Sequence, residues 1–197
     1  MAIENATVEN CLIEENQTRN PVGGLGRGGG VSAGLTSGLS DPSWLVGCVI
    51  RNNRNVEFGG GIFASGGETH VVRCSITGNV VQESGGGIHT LATMFLEDCT
   101  ISGNESLNRG GGAIVASQNG TVNATNCVIH NNSAGNVGQS VVLFGFPSVA
   151  RAEGNFSNCT IVQGNEESSD LIFNEGGRSG ESQSSQIVSS GALHNLL

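Results

Sequence analysis

Cysteine, histidine and acidic side chains are the groups of this chain that could carry chemistry, and the six cysteines are the most regularly spaced of them. They are Cys11, Cys48, Cys74, Cys99, Cys127 and Cys159. An even number of cysteines could form disulfides, hold a metal or pack as free thiols. A metal needs several converging ligands, and the sequence has no CxxC or HxxxH spacing. Disulfides and free thiols therefore remain the main alternatives, and no metal site is predicted.

Catalysis by acids and bases is not predicted from the remaining titratable residues. A polysaccharide lyase or hydrolase needs clustered carboxylates, or calcium-binding aspartates beside a basic residue. The chain has three isolated aspartates and no lysine, and the neighbouring Glu166 and Glu167 fall where the repeat described below decays. His70, His89, His130 and His194 stand apart in the sequence and are interpreted as surface or turn residues. We expect a protein that is not an enzyme, with no catalytic residue and no cofactor.

Asparagine supplies a third candidate chemistry, N-glycosylation at Asn-x-Ser/Thr sequons. Eight sequons occur, but Asn16 and Asn104 also belong to a repeated column that should be buried. The remaining candidates for glycosylation are Asn5, Asn119, Asn123, Asn131, Asn155 and Asn158. Glycans are expected there if the source is eukaryotic, and otherwise the sequons reflect turns rich in asparagine and threonine.

The elements that position these residues follow from an internal repeat of about 25 residues. Two residues after each cysteine is an isoleucine: Ile13, Ile50, Ile76, Ile101, Ile129 and Ile161. Three residues before each cysteine is an apolar residue: Val8, Leu45, Val71, Leu96, Ala124 and Phe156. Five residues after the first five cysteines is an asparagine: Asn16, Asn53, Asn79, Asn104 and Asn132. A glycine cluster ending in an aliphatic residue then follows, as in "GGGI" from Gly59 to Ile62.

This pattern predicts three short strands and three turns in each repeat. Cys-x-Ile alternates with period two and is typical of a strand with both named side chains facing inward. The residue before cysteine is Asn, Asp or Gly in five of six repeats, which favours a left-handed corner. A glycine or asparagine likewise precedes the asparagine column in most repeats. The glycine clusters lack the GK[ST] ending of a phosphate loop and are interpreted as tight turns.

The predicted fold is all-β, a single-stranded parallel β-helix, or solenoid, of about six to seven coils. Each coil buries its inner face only by stacking on its neighbours, about 4.8 Å apart, so that equivalent side chains form ladders. The β-helix should span residues 1–175, with turn insertions at about 17–43 and a degenerate last coil or tail at 176–197. In this arrangement the six cysteines share one inward column. We expect a packed thiol ladder, with some disulfides as the alternative.

The glycine repeats resemble those of a known class of surface proteins. "GGGI", "GGAI" and "ISGNESLNRGGGAI", from Ile101 to Ile114, are similar to the repeats of polymorphic outer-membrane proteins and related right-handed β-helix proteins of the pectate-lyase-like superfamily. The likeness covers about Ala6 to Phe173, with isoleucine where that repeat usually has phenylalanine before asparagine. The resemblance implies a right-handed winding, which agrees with the handedness of parallel crossovers. It also implies a secreted or surface-exposed structural or adhesive role.

Charge and hydropathy bound the partners. The net charge of −9 argues against nucleic acid as a partner. The sequence contains no run of 18 apolar residues, so membrane insertion is not predicted. We expect an extracellular or cell-surface protein that contacts protein neighbours through open β-helix ends or projecting loops, including by self-assembly into a filament. The loop from Gly23 to Ser43 is one predicted contact surface. The alternative is a carbohydrate-active or glycan-binding β-helix.

Overall fold

The structure, a computed structural model, describes residues 1–18, 26–34, 42–136, 138–145 and 152–162, and the backbone of two further strands at 172–175 and 186–190. Parts of the insertion predicted at 17–43, most of the tail predicted at 176–197, and Glu166, Glu167 and His194 lie outside these residues. Within them the chain is a parallel β-solenoid without a helix. The predicted fold class is therefore confirmed.

Four parallel sheets run along the solenoid, and we number them 1 to 4 in the order in which a complete coil passes through them. Sheet 1 contains β1 (Ala2–Ile3), β4 (Val31–Ala33), β8 (Ile62–Ala64), β12 (Ile88–Thr90), β16 (Ile114–Ser117), β20 (Val141–Phe144) and β23 (Ile172–Glu175). Sheet 2 contains β2 (Thr7–Glu9), β5 (Ser43–Val46), β9 (Glu68–Val72), β13 (Thr93–Glu97), β17 (Thr121–Thr125), β21 (Glu153–Ser157) and β24 (Gln186–Ser190). Sheet 3 contains β3 (Leu12–Glu14), β6 (Val49–Arg51), β10 (Ser75–Thr77), β14 (Thr100–Ser102), β18 (Val128–His130) and β22 (Thr160–Val162).

Sheet 4 was not expected from the repeat. It contains the two-residue strands β7 (Arg54–Asn55), β11 (Val80–Val81), β15 (Glu105–Ser106) and β19 (Ser133–Ala134), which follow the asparagine column directly. Its strands are too short to show a period in the sequence. The solenoid makes about five turns with three principal strands each, and sheets 1 and 2 reach seven strands because they extend into incomplete coils at the ends. The number of turns therefore differs slightly from the six to seven coils that were predicted.

The register of the strands stacks each repeated residue on its equivalent in the next coil. In sheet 3 the isoleucines pair in succession from Ile13 to Ile161. In sheet 2 the apolar residues three before cysteine pair from Val8 to Phe156. In sheet 1 the aliphatic residues that end the glycine clusters pair from Val31 to Ile172. The described side chains of these columns form one continuous buried core, against which the partly buried Val8 packs.

Two corners of each coil use left-handed backbone, which only glycine and asparagine adopt readily. The first corner is the residue before each cysteine, with φ from 51° to 62°: Asn10, Gly47, Arg73, Asp98, Asn126 and Asn158. The second precedes the asparagine column, with φ from 52° to 62°: Glu15, Asn52, Gly78, Gly103 and Asn131. These corners turn the chain from sheet 2 into sheet 3 and from sheet 3 into sheet 4.

Candidate functional site

A lateral cavity of about 430 Å³ lies on the outer side of sheet 1. Its floor is the column of residues directly after the core aliphatics, chiefly Phe63, His89, Val115 and Val142. Strand alternation turns these side chains away from the core, because their neighbours on each strand point inward. The volume falls within the range of small-molecule sites. We refer to this feature as the lateral cavity.

One wall of the lateral cavity is the residue that precedes each glycine cluster. Arg27, Phe58 and Ser84 stack there through parallel bridges, Arg27 on Phe58 and Phe58 on Ser84. The glycine after each has φ from 69° to 76° in this part of the chain. A Cβ on Gly59, for example, would lie 2.3 Å from the carbonyl oxygen of Ile62, so only glycine allows this sharp turn. The turn holds the wall residues beside the floor.

Arg27 is the most unusual group of the wall. Its guanidinium carbon lies 5.3 Å from the centre of the Phe63 ring, a cation–π arrangement. Its Nε is buried and has no hydrogen-bond partner among the described residues. A second arginine at the cavity, Arg109, donates from Nε to the Glu83 carboxylate at 2.8 Å and is largely exposed. No carboxylate occurs among the described lining residues, so the cavity is locally positive in a chain of net charge −9.

His89 corrects the expectation that the histidines are surface or turn residues. Its side chain is buried at 4% exposure in the cavity floor. Nδ1 lies 3.1 Å from the Ser84 hydroxyl and Nε2 lies 2.9 Å from the Ser117 hydroxyl. Burial, with a smaller contribution from the nearby Arg27 charge, lowers the pKa of His89 to about 4, although a hydrogen bond from the imidazole to the Ser84 carbonyl oxygen opposes this shift. The imidazole is therefore neutral at neutral pH and is held by two hydroxyls.

Acidification should destabilise the protein through His89. The unfolded imidazole has a pKa near 6.5 and the folded one near 4, so stability is full above pH 6.5 and is lost as the pH falls toward 4. The expected loss is about 3 kcal/mol, from roughly 2.5 pKa units at 1.36 kcal/mol each. Urea unfolding at pH 7.0, 5.5 and 4.5 measures this loss. His89→Val, which matches Val115 and Val142 in the same column, should lose much less stability over this interval. An equal slope for both proteins would contradict the assignment.

The cysteines lie in one column and are free thiols. Cys48, Cys74, Cys99, Cys127 and Cys159 are buried, whereas Cys11, in the end coil of the described residues, is exposed. Each thiol points at the carbonyl two residues earlier, as Cys74 does at the Val72 oxygen, 3.4 Å away. Cys74 also contacts the Leu45 oxygen of the preceding coil at 3.4 Å. Burial raises the pKa of Cys74 to about 11, so this thiol is unreactive at neutral pH.

Thiol labelling distinguishes a packed thiol ladder from disulfides. We expect a disulfide-exchange reagent to modify Cys11 rapidly in the native protein and the five buried cysteines only on unfolding. Without reductant, the denatured protein should then yield all six thiols. Each disulfide would remove two from that total. Cys11→Ser, the control, should abolish the rapid phase and leave the slow phase unchanged.

The six candidate glycosylation residues occupy different surroundings. Asn5, Asn119, Asn131 and Asn158 are exposed, and Asn123 and Asn155 are half-buried on the outer face of sheet 2. The Asn155 amide donates to Asn123 Oδ1 at 2.8 Å, so these two sequons share a hydrogen bond. Exposure permits modification at the first four. Glycosylation itself stays a prediction.

The asparagine column is buried from Asn53 to Asn132, and Asn16, at its end, is exposed. Asn104 is therefore discounted as a sequon, as predicted, whereas burial gives no reason to discount Asn16. Asn53, Asn79 and Asn104 each donate to the next asparagine and to the isoleucine carbonyl of the preceding coil. Asn79 Nδ2, for example, lies 3.0 Å from Asn104 Oδ1 and 2.9 Å from the Ile50 oxygen. This column is structural.

An aromatic column on the outer face of sheet 2 was missed in the sequence. Trp44 and His70 stack with ring centres 4.0 Å apart, and His70 and Phe95 stack at 4.7 Å. All three are only partly buried, and His70 Nε2 lies 3.6 Å from the Glu68 carboxylate. The available signal was their common position, four residues before a cysteine. We refer to these three residues as the aromatic column.

No group of three or more His, Cys, Asp or Glu side chains that could hold a metal ion occurs among the described residues. No helix in the described part of the chain is long and apolar enough to span a membrane.

Comparison with known proteins does not extend these findings. No protein-family model matches the chain, and no curated protein and no solved structure matches it either. The class that the coordinates define is the parallel β-solenoid.

Proposed function

We propose that this protein is a non-enzymatic extracellular or cell-surface β-helix with a structural or adhesive role, and a subunit or segment of a larger surface assembly. The observation that carries the proposal is the in-register stacking of every coil on the next through sheets 1 to 3. Backbone hydrogen bonds and buried side-chain columns link all neighbouring coils, which makes a stiff rod. A stiff rod suits a structural or adhesive role, because it can extend away from a surface and can contact neighbouring molecules along its whole length.

The outer surface supports contact with partners. The aromatic column is partly exposed on sheet 2, and partly exposed aromatic residues are enriched at protein interfaces. At one end of sheet 3, β3 is the last described strand and Leu12 on it is 54% exposed. The outer edge of β3 has no strand partner among the described residues, and a strand edge in that state recruits another strand. Protein neighbours, including second copies of the chain, are the partners that this surface fits.

Imaging and mass measurement test the assembly. We expect negative-stain images of the native material to show filaments or stacked rods, and light scattering to give a mass well above 20.1 kDa. Leu12→Lys should reduce that mass by placing charge on the edge strand. Val128→Lys is the matched control, because Val128 also follows a cysteine and is 41% exposed, but lies on β18 inside the sheet. A monodisperse short rod would contradict the proposal and favour the glycan-binding alternative.

A further inference from the structure

We propose that the lateral cavity binds a small organic carboxylate with a flat, apolar body. The cavity is open to the outside of the rod and has the volume of a small-molecule site, about 430 Å³. Its lining combines two arginines with several aromatic and aliphatic side chains. Binding in it would not depend on whether the rods assemble.

The positive charge of the site comes from Arg27. Its Nε is buried without a partner among the described residues, and a buried donor in that state destabilises the free protein. A carboxylate in the cavity would pair with the Arg27 guanidinium, because the planar guanidinium fork binds carboxylates through two parallel hydrogen bonds. Arg109 already pairs with Glu83 at 2.8 Å and contributes at longer range. Glu57 also has a buried oxygen without a partner, but it does not line the cavity.

The aromatic side chains select a flat, apolar body. The Phe58 ring lies 4.8 Å from His89 and the Phe63 ring lies 5.8 Å from it, both tilted, so the three rings form one cluster. His89 adds no charge to this cluster, because both of its nitrogens contact serine hydroxyls and the ring is neutral. Val115 and Val142 extend the apolar floor. A ring system on this floor would place its carboxylate toward the Arg27 wall.

Inorganic anions and neutral sugars fit this lining less well. A small inorganic anion would meet the arginine but leave the apolar floor uncovered. A neutral sugar would place hydroxyls on the floor and leave the arginine donor unpaired. A lining that combines an arginine with apolar side chains therefore favours an organic anion over an inorganic anion or a neutral sugar.

The experiment compares naphthalene-2-carboxylate with its neutral isostere naphthalene-2-carboxamide, by calorimetry and by ligand-observed NMR. We expect the carboxylate to bind the wild type, and Arg27→Gln to weaken it roughly ten- to a hundredfold, the value of a charged hydrogen bond. The amide should bind the wild type more weakly than the carboxylate does. Arg54→Gln, an exposed arginine on β7 that does not line the cavity, should leave the affinity unchanged.

A second variant keeps the test independent of charge. Val115→Phe fills the floor and should abolish binding of both compounds, with circular dichroism confirming the fold. Equal affinity of the carboxylate for the wild type and Arg27→Gln would overturn the proposal, as would equal affinity of the two compounds for the wild type. Absence of carboxylate binding at millimolar concentration would overturn it as well. None of these results bears on the particle mass that tests the assembly.

Discussion

Replacing Asn79 with alanine should lower the free energy of unfolding by about 4 kcal/mol, at roughly 1 kcal/mol for each of four hydrogen bonds. Asn79 Oδ1 accepts from the backbone N–H and from the Nδ2 of Asn53, at 3.0 and 2.9 Å. Asn79 Nδ2 donates to the Ile50 carbonyl at 2.9 Å and to Asn104 Oδ1 at 3.0 Å. All of these partners are buried, so no water replaces the lost amide. The truncation therefore interrupts the ladder between two coils.

Asn16→Ala is the matched control. Asn16 occupies the same column but is exposed, and its side chain donates to Asn53 Oδ1 at 2.9 Å. We expect a cost of about 1 kcal/mol or less, because Asn53 Oδ1 keeps the hydrogen bond that the Asn16 backbone N–H donates to it at 3.1 Å. Urea unfolding followed by circular dichroism gives both values, and hydrogen exchange localises the effect in a repeat structure that can unfold coil by coil. Equal losses at the two positions would show that burial of the ladder contributes nothing.

Asn79→Asp tests whether the hydrogen bonds of the side chain or its shape stabilise the column, because aspartate has nearly the same shape as asparagine but no N–H donors. The carboxylate keeps the acceptor that serves Asn53 but loses both donors, so it faces two oxygens, those of Ile50 and Asn104. A buried charge opposite unpaired acceptors is costly. The aspartate should therefore destabilise the fold at least as much as alanine at neutral pH, and should recover part of the loss under acidic conditions.

The stacked columns were predictable because burial selects the same residue type in every coil. Isoleucine two after cysteine recurs six times since the interior at that point has one shape along the whole rod. The left-handed corners were predictable for a similar reason, since few residue types adopt positive φ. Arg73 and Glu15 occupy such corners nevertheless, and the backbone N–H of each donates to a carbonyl of the next coil, that of Glu97 and that of Arg51 respectively.

The lateral cavity was not predictable in the same way. Its floor column runs from Phe63 through His89 to Val115 and Val142, and no single residue type occupies the whole column. The sequence places His89 on a strand face away from the core, which favours exposure. His89 is buried because the glycine turns place Arg27, Phe58 and Ser84 beside it, and these three residues cover it from one side. A residue that varies between coils while its neighbours stay fixed is the signal that could have identified this surface.

Glycines in this fold should differ in how well they tolerate substitution. Gly60→Ala should lower the free energy of unfolding by about 3 kcal/mol or more. A Cβ at Gly60 would lie 2.3 Å from the Gly86 carbonyl oxygen and 3.0 Å from the backbone of Val80. Both contacts are backbone atoms in the next coil, and they cannot retreat without breaking the ladder. The obstacle at this glycine is the neighbouring coil and not the φ angle.

Gly103→Ala supplies the contrast, because there the obstacle is only the φ angle. Gly103 has φ of 62°, and a Cβ would find its nearest atom, the Gly78 nitrogen, 3.8 Å away. A left-handed alanine costs about 1–2 kcal/mol, and Gly103→Asn should cost less, since Asn52 and Asn131 occupy the same corner in other coils. Urea unfolding of the three variants should therefore rank Gly60→Ala as the least stable and Gly103→Asn as the most stable. Similar stability of Gly60→Ala and Gly103→Ala would mean that neighbouring coils can separate at the glycine turn, and that the turn does not fix the spacing which holds the cavity wall.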